Sequence, residues 1–217
     1  MKLTPYHAKF YAYDILRKTR SDITATVFNA KVQMNPHQVL AAQYAIRSPI
    51  AKGAILADEV GLGKTIEAGL ILAQMWAERK RQLIIVCPAV LRKQWQEELK
   101  DKFALDSIIL DSKPITQAKK DGIDLFNLLE PKILICSYNL INRDEYKLKL
   151  QNIRFDLAVF DEAHKLKNDK SKVYQAIQEA FPTAKKILLT ATPLQNNLSE
   201  LFGLVNIIDD KFFPSKR

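Results

Sequence analysis

The chain has 217 residues, 47% hydrophobic and 26% charged, a globular balance that excludes a disordered chain. At about 100–200 residues per domain, this length predicts one large domain with at most a short appendage. The 33 Lys and Arg against 24 Asp and Glu give a formal net charge of +9, which suits a polyanionic partner without requiring one.

In chain order, residues 1–34 stand apart, with one amphipathic helix expected over Thr4–Lys18 and a strand or extended segment over Ala25–Gln33. Met1–His7 carries no apolar signal core, so secretion is not expected. Beyond residue 50, short apolar runs alternate with helix-length amphipathic stretches. The runs are Gly53–Ala57, Leu83–Cys87, Ser107–Leu110, Ile133–Cys136, Leu157–Phe160 and Ile187–Thr190. Helices are expected near 64–79, 89–103, 114–129, 139–150, 170–180 and 198–207. Runs apolar on both faces are parallel strands covered by helices. Their alternation with helices predicts an α/β fold, a doubly wound parallel sheet with helices on both faces. No apolar run approaches the roughly 18–20 residues of a membrane span. Cys87 and Cys136 both sit in strand-like runs, which predicts reduced core thiols and a cytosolic or nuclear setting. Neither they nor His7, His37 and His164 show metal-ligand spacing.

Four of the six glycines, Gly53, Gly61, Gly63 and Gly69, cluster around one strand-to-helix junction, so the special backbone is expected there. In Asp58-Glu59-Val60-Gly61-Leu62-Gly63-Lys64-Thr65 the glycines let backbone N–H groups curl around a phosphate, and the helix start adds its positive dipole end. Lys64 would reach the β- and γ-phosphates and the Thr65 hydroxyl would ligate Mg²⁺. A plain glycine turn reads the same way, and Gly-Lys-[Ser/Thr] arises by chance in about one such chain in ten. The second signal is sharper. Leu157–Phe160 is followed by Asp161-Glu162-Ala163-His164, a tetrad expected by chance in about one such chain in a thousand. In a parallel sheet the ligand site lies at the carboxyl ends of the strands. Asp161 there would hold Mg²⁺, and Glu162, pointing differently, would polarise an attacking water.

With both motifs in view, the chain resembles a helicase superfamily 2 ATPase, within it the Snf2 family of DNA translocases, and there the bacterial RapA-like branch. The resemblance runs from about Asn35 to Asp209. Gln38 sits where that family has its adenine-recognising glutamine. Asp58–Thr65, continued by Ile66-Glu67-Ala68-Gly69-Leu70, matches motif I, including Asp58 where a strict phosphate loop has glycine. Ile84–Leu91 with Gln94-Trp95 resembles motif Ia, and Ile135-Cys136-Ser137-Tyr138 the segment called Ib or Ic. Asp161–Asn168 resembles motif II and its extension, and Leu189–Asn197 motif III, although Ala191 stands where Snf2 proteins usually carry glycine.

The resemblance implies a RecA-like P-loop domain of three α/β/α layers over 35–210. It implies an accessory element over 1–34 and, over 211–217, the start of a linker to a second lobe that supplies the arginine fingers. It implies ATP and Mg²⁺ as cofactors, with nucleotide contacts from Gln38, Gly61, Leu62, Gly63, Lys64, Thr65 and Ile66. Asp161 and Thr65 would hold the metal, and Thr190 and Thr192 would couple nucleotide state to the DNA face. Pro88, Arg92, Lys93, Ser137, Gln195 and Asn196 are candidate nucleic-acid contacts, with Lys165, Lys167, Lys170 and Lys172 as further phosphate contacts. The expected partners are double-stranded DNA, the second lobe and a DNA-bound protein, with no membrane, in a bacterial, nucleoid-associated cytoplasmic setting. Alone, this lobe is expected to bind nucleotide weakly and hydrolyse little. An RNA helicase lobe and a non-catalytic nucleotide-dependent DNA-binding module are the competing readings. Trp76 and Trp95, at amphipathic helix positions, are expected to pack in the core rather than stack on bases.

Overall fold

The computed structural model describes residues 30–31, 35–47, 52–57, 63–124, 126, 131–168, 170–192 and 198–211. The helix expected over Thr4–Lys18, Asp58–Leu62 of the glycine loop, Pro193–Asn197 and the tail 212–217 lie outside the described residues. Of Ala25–Gln33 only Ala30 and Lys31 are described. The Lys31 N–H donates to the Lys102 carbonyl at 2.8 Å.

Six parallel strands form one sheet. They are β1 (Gly53–Leu56), β2 (Leu83–Cys87), β3 (Ser107–Ile109), β4 (Ile133–Ser137), β5 (Leu157–Phe160) and β6 (Lys185–Leu189), in spatial order β1-β6-β5-β2-β4-β3. The helices are α1 (Pro36–Arg47), α2 (Lys64–Ala77), α3 (Arg92–Phe103), α4 (Ser112–Lys120), α5 (Tyr138–Ile141), α6 (Asp144–Gln151), α7 (Lys172–Ala180) and α8 (Leu198–Ile208). Alternate side chains leave each strand on opposite faces. Leu83, Ile85, Cys87, Val159, Ile187 and Leu189 pack against α1, α2 and α3. Ile84, Val86, Ala158, Phe160 and Leu188 pack against α4 to α8. Every position of β2, β4 and β5 is buried, which explains why these strands read as continuous apolar runs. At about 1.5–3 kcal/mol per fully buried aliphatic side chain, these two layers dominate the stability of the fold.

Several element boundaries differ from the sequence expectation, and three of the differences have a clear local reason. The helix expected over 114–129 runs Ser112–Lys120 and ends in a Schellman motif, in which Gly122 stands at φ +74. There Ile123 N–H donates to the Ala118 carbonyl and Gly122 N–H to that of Lys119. The helix expected over 139–150 is split into α5 and α6, because Arg143 is extended and acts as N-cap, with Asp144 and Glu145 complementing the first turn of α6. Finally, β6 begins two residues early, at Lys185, and takes Lys186 into the interior at 3% exposure. Both cysteines are free and buried in β2 and β4, and burial pushes the Cys87 thiol up to about 12. Among the described residues no helix is long and apolar enough to cross a membrane.

Candidate active site

Because all six strands are parallel, their carboxyl ends open onto one rim of the sheet. The chain leaves β1 there toward α2, β5 there toward Asp161, and β6 there toward Thr190. These three strands are neighbours, so the residues following them meet. The ends are stitched together by the Thr190 N–H, which donates to the Leu56 carbonyl at 3.1 Å.

Gly63 is the N-cap of α2, in left-handed backbone at φ 90, and provides no side chain to cap the helix. The N–H groups of Ile66 and Glu67 both turn back to the Gly63 carbonyl, at 2.8 and 3.2 Å. The first amides of a helix have no acceptor within the helix itself, which suits its start to an anion. Gln38, 5% exposed on α1, lies directly against this cap. A Cβ added to Gly63 would fall 2.3 Å from the Gln38 Nε2. The Gln38 Oε1 accepts the Asn35 N–H at 3.0 Å, which fixes the amide's direction. Lys64, Thr65 and Ile66 form the first turn of α2, with Ile66 buried. Gly61 and Leu62 lie outside the described residues.

Asp161 follows β5 and is held from four directions. Its N–H donates to the Val86 carbonyl at 2.8 Å. Its own carbonyl accepts the Tyr138 hydroxyl at 2.6 Å. Oδ1 accepts the Glu162 N–H at 2.8 Å and Oδ2 accepts the Trp95 indole N–H at 2.9 Å. Burial pushes this carboxyl up, and the Trp95 and Glu162 hydrogen bonds and the Lys64 ammonium act in the opposite direction. Lys64 and Asp161, 97 positions apart in sequence, are brought to the same rim, because β1 and β5 both flank β6. Glu162 stands in left-handed backbone at φ 52, a position that costs a non-glycine residue about 1–3 kcal/mol. Its half-exposed carboxylate lies 3.1 Å from His164 Nδ1. Adjacent carboxylates are thus separated, one buried and clamped, the other open to solvent.

Thr190 is 1% exposed, and its Oγ1 accepts the Thr192 N–H at 3.2 Å. Gln195 and Asn196 lie outside the described residues. The remaining candidates stand farther along the same rim, after β2 and β4. Lys93 is exposed and Pro88 half-buried. The Arg92 guanidinium pairs with Asp111 at 3.0 Å while its Nε–H donates to the Ala89 carbonyl at 3.0 Å, so part of its donor fork is already engaged. Ser137 is 7% exposed and its hydroxyl caps α5, accepting the Leu140 N–H at 3.3 Å.

A hydrated divalent cation fits this arrangement. Mg²⁺ takes hard oxygen donors, typically one or two carboxylates plus substrate phosphates, and keeps several waters. Asp161 and Thr65 supply such donors. Among the described residues no group of three or more His, Cys, Asp or Glu forms a dedicated cage, and such a site needs none. Sequence reasoning missed Trp95 and Tyr138 as part of this site. The signal that pointed there is that buried Trp N–H and Tyr O–H groups usually find a partner. Both follow strands that flank β5 or its neighbour.

The SNF2-related domain matches residues 28–217. An uncharacterized ATP-dependent helicase of Bacillus subtilis, YqhH, is 39% identical over 176 residues, 80% of this chain and 29% of that protein. The RNA polymerase-associated protein RapA of Erwinia tasmaniensis is 36% identical over 196 residues, 87% of this chain and 20% of that one. The chain therefore spans under a third of the length of either relative. The Sulfolobus solfataricus SWI2/SNF2 ATPase core, solved in complex with double-stranded DNA, superposes with a TM-score of 0.71 at 24% identity over 84% of this chain and 37% of that one. That likeness identifies the fold as RecA-like.

Proposed function

The chain belongs to the SNF2-related domain family, and from that premise we propose that it is the first, nucleotide-binding lobe of an ATP-dependent translocase on double-stranded DNA. The observation that carries this reading is the convergence of Lys64 and Asp161 on one rim, with Gln38 packed against the loop glycine between α1 and α2. Lys64 binds the β- and γ-phosphate oxygens beside the N-terminus of α2. Gln38, held by Asn35, faces the base. Thr65 and Asp161 would hold Mg²⁺, which when bound would neutralise charge developing on the transferring phosphate. Glu162, turned to solvent by its left-handed backbone, orients the attacking water and takes its proton. Thr190 and Thr192 carry the state of the acidic turn toward the segment that contains Gln195 and Asn196.

Pro88, Arg92, Lys93 and Ser137 line the neighbouring stretch of rim where the duplex backbone would lie, and Gln195 and Asn196 are proposed as further contacts. Contacts of this kind supply affinity that falls steeply with salt. Residues 35–210 make the lobe, residues 1–34 an accessory element steadying the Gln38 helix, and 211–217 lead to a second lobe that supplies the arginine fingers. Supplying such an arginine is worth about 10³–10⁵ in turnover, so the 217-residue chain alone should hydrolyse little. A DNA-bound protein, such as the RNA polymerase in the relatives' name, is the proposed remodelling substrate.

The test is phosphate release by the protein that carries this lobe together with its remaining domains. Duplex DNA should stimulate turnover more than RNA, and Lys64→Ala or Glu162→Gln should reduce it at least a hundredfold. Stronger stimulation by RNA would favour an RNA helicase, and an unaffected Glu162→Gln rate would remove the proposed base.

A further inference from the structure

Two buried aromatic side chains that the mechanism above does not use both grip Asp161. Tyr138, at the start of α5, is 6% exposed and binds its main-chain carbonyl at 2.6 Å. Trp95, on α3, is 2% exposed and binds its side chain, donating Nε1–H to Oδ2 at 2.9 Å. The two bonds do different things. With the Val86 bond to the Asp161 N–H, Tyr138 fixes where the backbone lies. The Glu162 N–H on Oδ1 is a local turn contact that travels with that backbone. The indole reaches the carboxylate from another element, 66 residues away in sequence.

The torsion that turns an aspartate carboxylate is broad, so one local hydrogen bond leaves its plane loosely set. A second donor on the other oxygen sets it. Each carboxylate oxygen has about two lone-pair sites. With one N–H on each, the remaining sites keep a defined direction.

We propose that Trp95 is a positioning residue that orients the Asp161 carboxylate toward the metal of the bound nucleotide. The inference rests on the assignment of Asp161 as the metal-side carboxylate. Partners of this kind orient ligating groups, and losing one typically weakens metal affinity about 10–100-fold. The competing role is core filling, in which the indole N–H merely finds an acceptor. That role would affect stability without regard to the metal.

The experiment separates the two by titrating the 217-residue chain with ADP in Mg²⁺ and again in EDTA. Wild type should bind more tightly in Mg²⁺. Replacing Trp95 by 3-benzothienylalanine keeps the ring shape and puts sulfur where the N–H was. That variant should lose about tenfold of the Mg²⁺-dependent gain and stay within about twofold of wild type in EDTA. Trp95→Phe should show the same pattern with a lower melting temperature. Asp161→Asn should abolish the gain, and adding Trp95→Phe to it should remove nothing further, because the indole acts through that carboxylate. Equal losses in Mg²⁺ and EDTA, or a gain kept within about twofold in both Trp95 variants, would overturn the positioning role. A wild-type chain with no Mg²⁺ gain would instead overturn the metal assignment, and this inference with it.

Discussion

Gly63 concentrates two constraints in one residue. Its backbone is left-handed, and the Gln38 amide occupies the space where a side chain would go, 2.3 Å from an added Cβ. Gly63→Ala should therefore lower stability by about 1–3 kcal/mol from the backbone alone, and by more if Gln38 must move. Urea denaturation separates the parts. Adding Gln38→Ala should relieve the collision and leave the backbone cost, so the double variant should recover only part of the loss. Full recovery would mean that the backbone conformation carries no cost. Nucleotide affinity should fall in both variants, since each disturbs the cap where phosphate would bind. The glycine and the glutamine were both legible in the sequence as separate motif residues, 25 positions apart. Their contact was not, because nothing in one chain's spacing shows that α1 folds back over the start of α2. The same holds for Trp95, readable as a core residue from its helical position. Its bond to Asp161 depends on β2 lying beside β5.

At the scale of elements, α2 and α3 approach most tightly at Gly69. A Cβ on Gly69 would lie 2.2 Å from Phe103 Cε2, and Phe103 is 8% exposed. Gly69→Ala should cost about 1–3 kcal/mol by overpacking, although Ala is the better helix former. Phe103→Leu alone should also destabilise, by leaving a gap. Combined, the two should be less harmful than their sum by about 1–2 kcal/mol, a coupling that urea melts of the four chains would read directly. Strict additivity would mean that the helices separate rather than press on the ring. All six strands were legible as apolar runs because each is covered on both faces. What misled was polarity at element ends. Lys185 and Lys186 look like a solvated turn, yet they open β6. Asp121-Gly122 and Asn142-Arg143 each end a helix, and both carried readable signals, a glycine for the Schellman motif and paired acids opening α6. The helical periodicity simply continued past them.

For the whole molecule, the two lysines of β6 and the two core thiols set opposing responses to alkaline pH. Lys186 is 3% exposed, and burial lowers its pKa from 10.5 to about 8, with Lys52 adding to the fall and Asp209 and Asp210 resisting it. Lys185, whose amine donates to the Ile46 carbonyl at the end of α1, is lowered by burial in the same direction. Between about pH 8 and 10.5 the unfolded chain holds the Lys186 proton and the folded chain does not, so stability rises with pH across that window, by about 3 kcal/mol at most. The thiols act oppositely. Cys87 is pushed from 9.0 up to about 12, and Cys136 is raised as well, chiefly by burial. Above about pH 9 the unfolded chain loses two thiol protons that the folded chain keeps, which outweighs Lys186, and around pH 10 the Tyr138 hydroxyl, raised chiefly by burial, offsets Lys185. Stability should therefore climb from pH 8, crest near pH 9 and fall beyond it. Lys186 alone would add about 1 kcal/mol over that unit, but the two thiols take back most of it, so the net rise is about 0.3 kcal/mol, or about 1 °C in melting temperature for a chain of this size. Melting curves by circular dichroism between pH 7.5 and 10.5 would trace it, and a steady decline from pH 7.5 would show that Lys186 is charged in the folded sheet. Lys186→Met should flatten the rising limb and raise the melting temperature at pH 7.5, where the native lysine is a buried charge, while leaving the fall above pH 9 in place because the thiols are untouched.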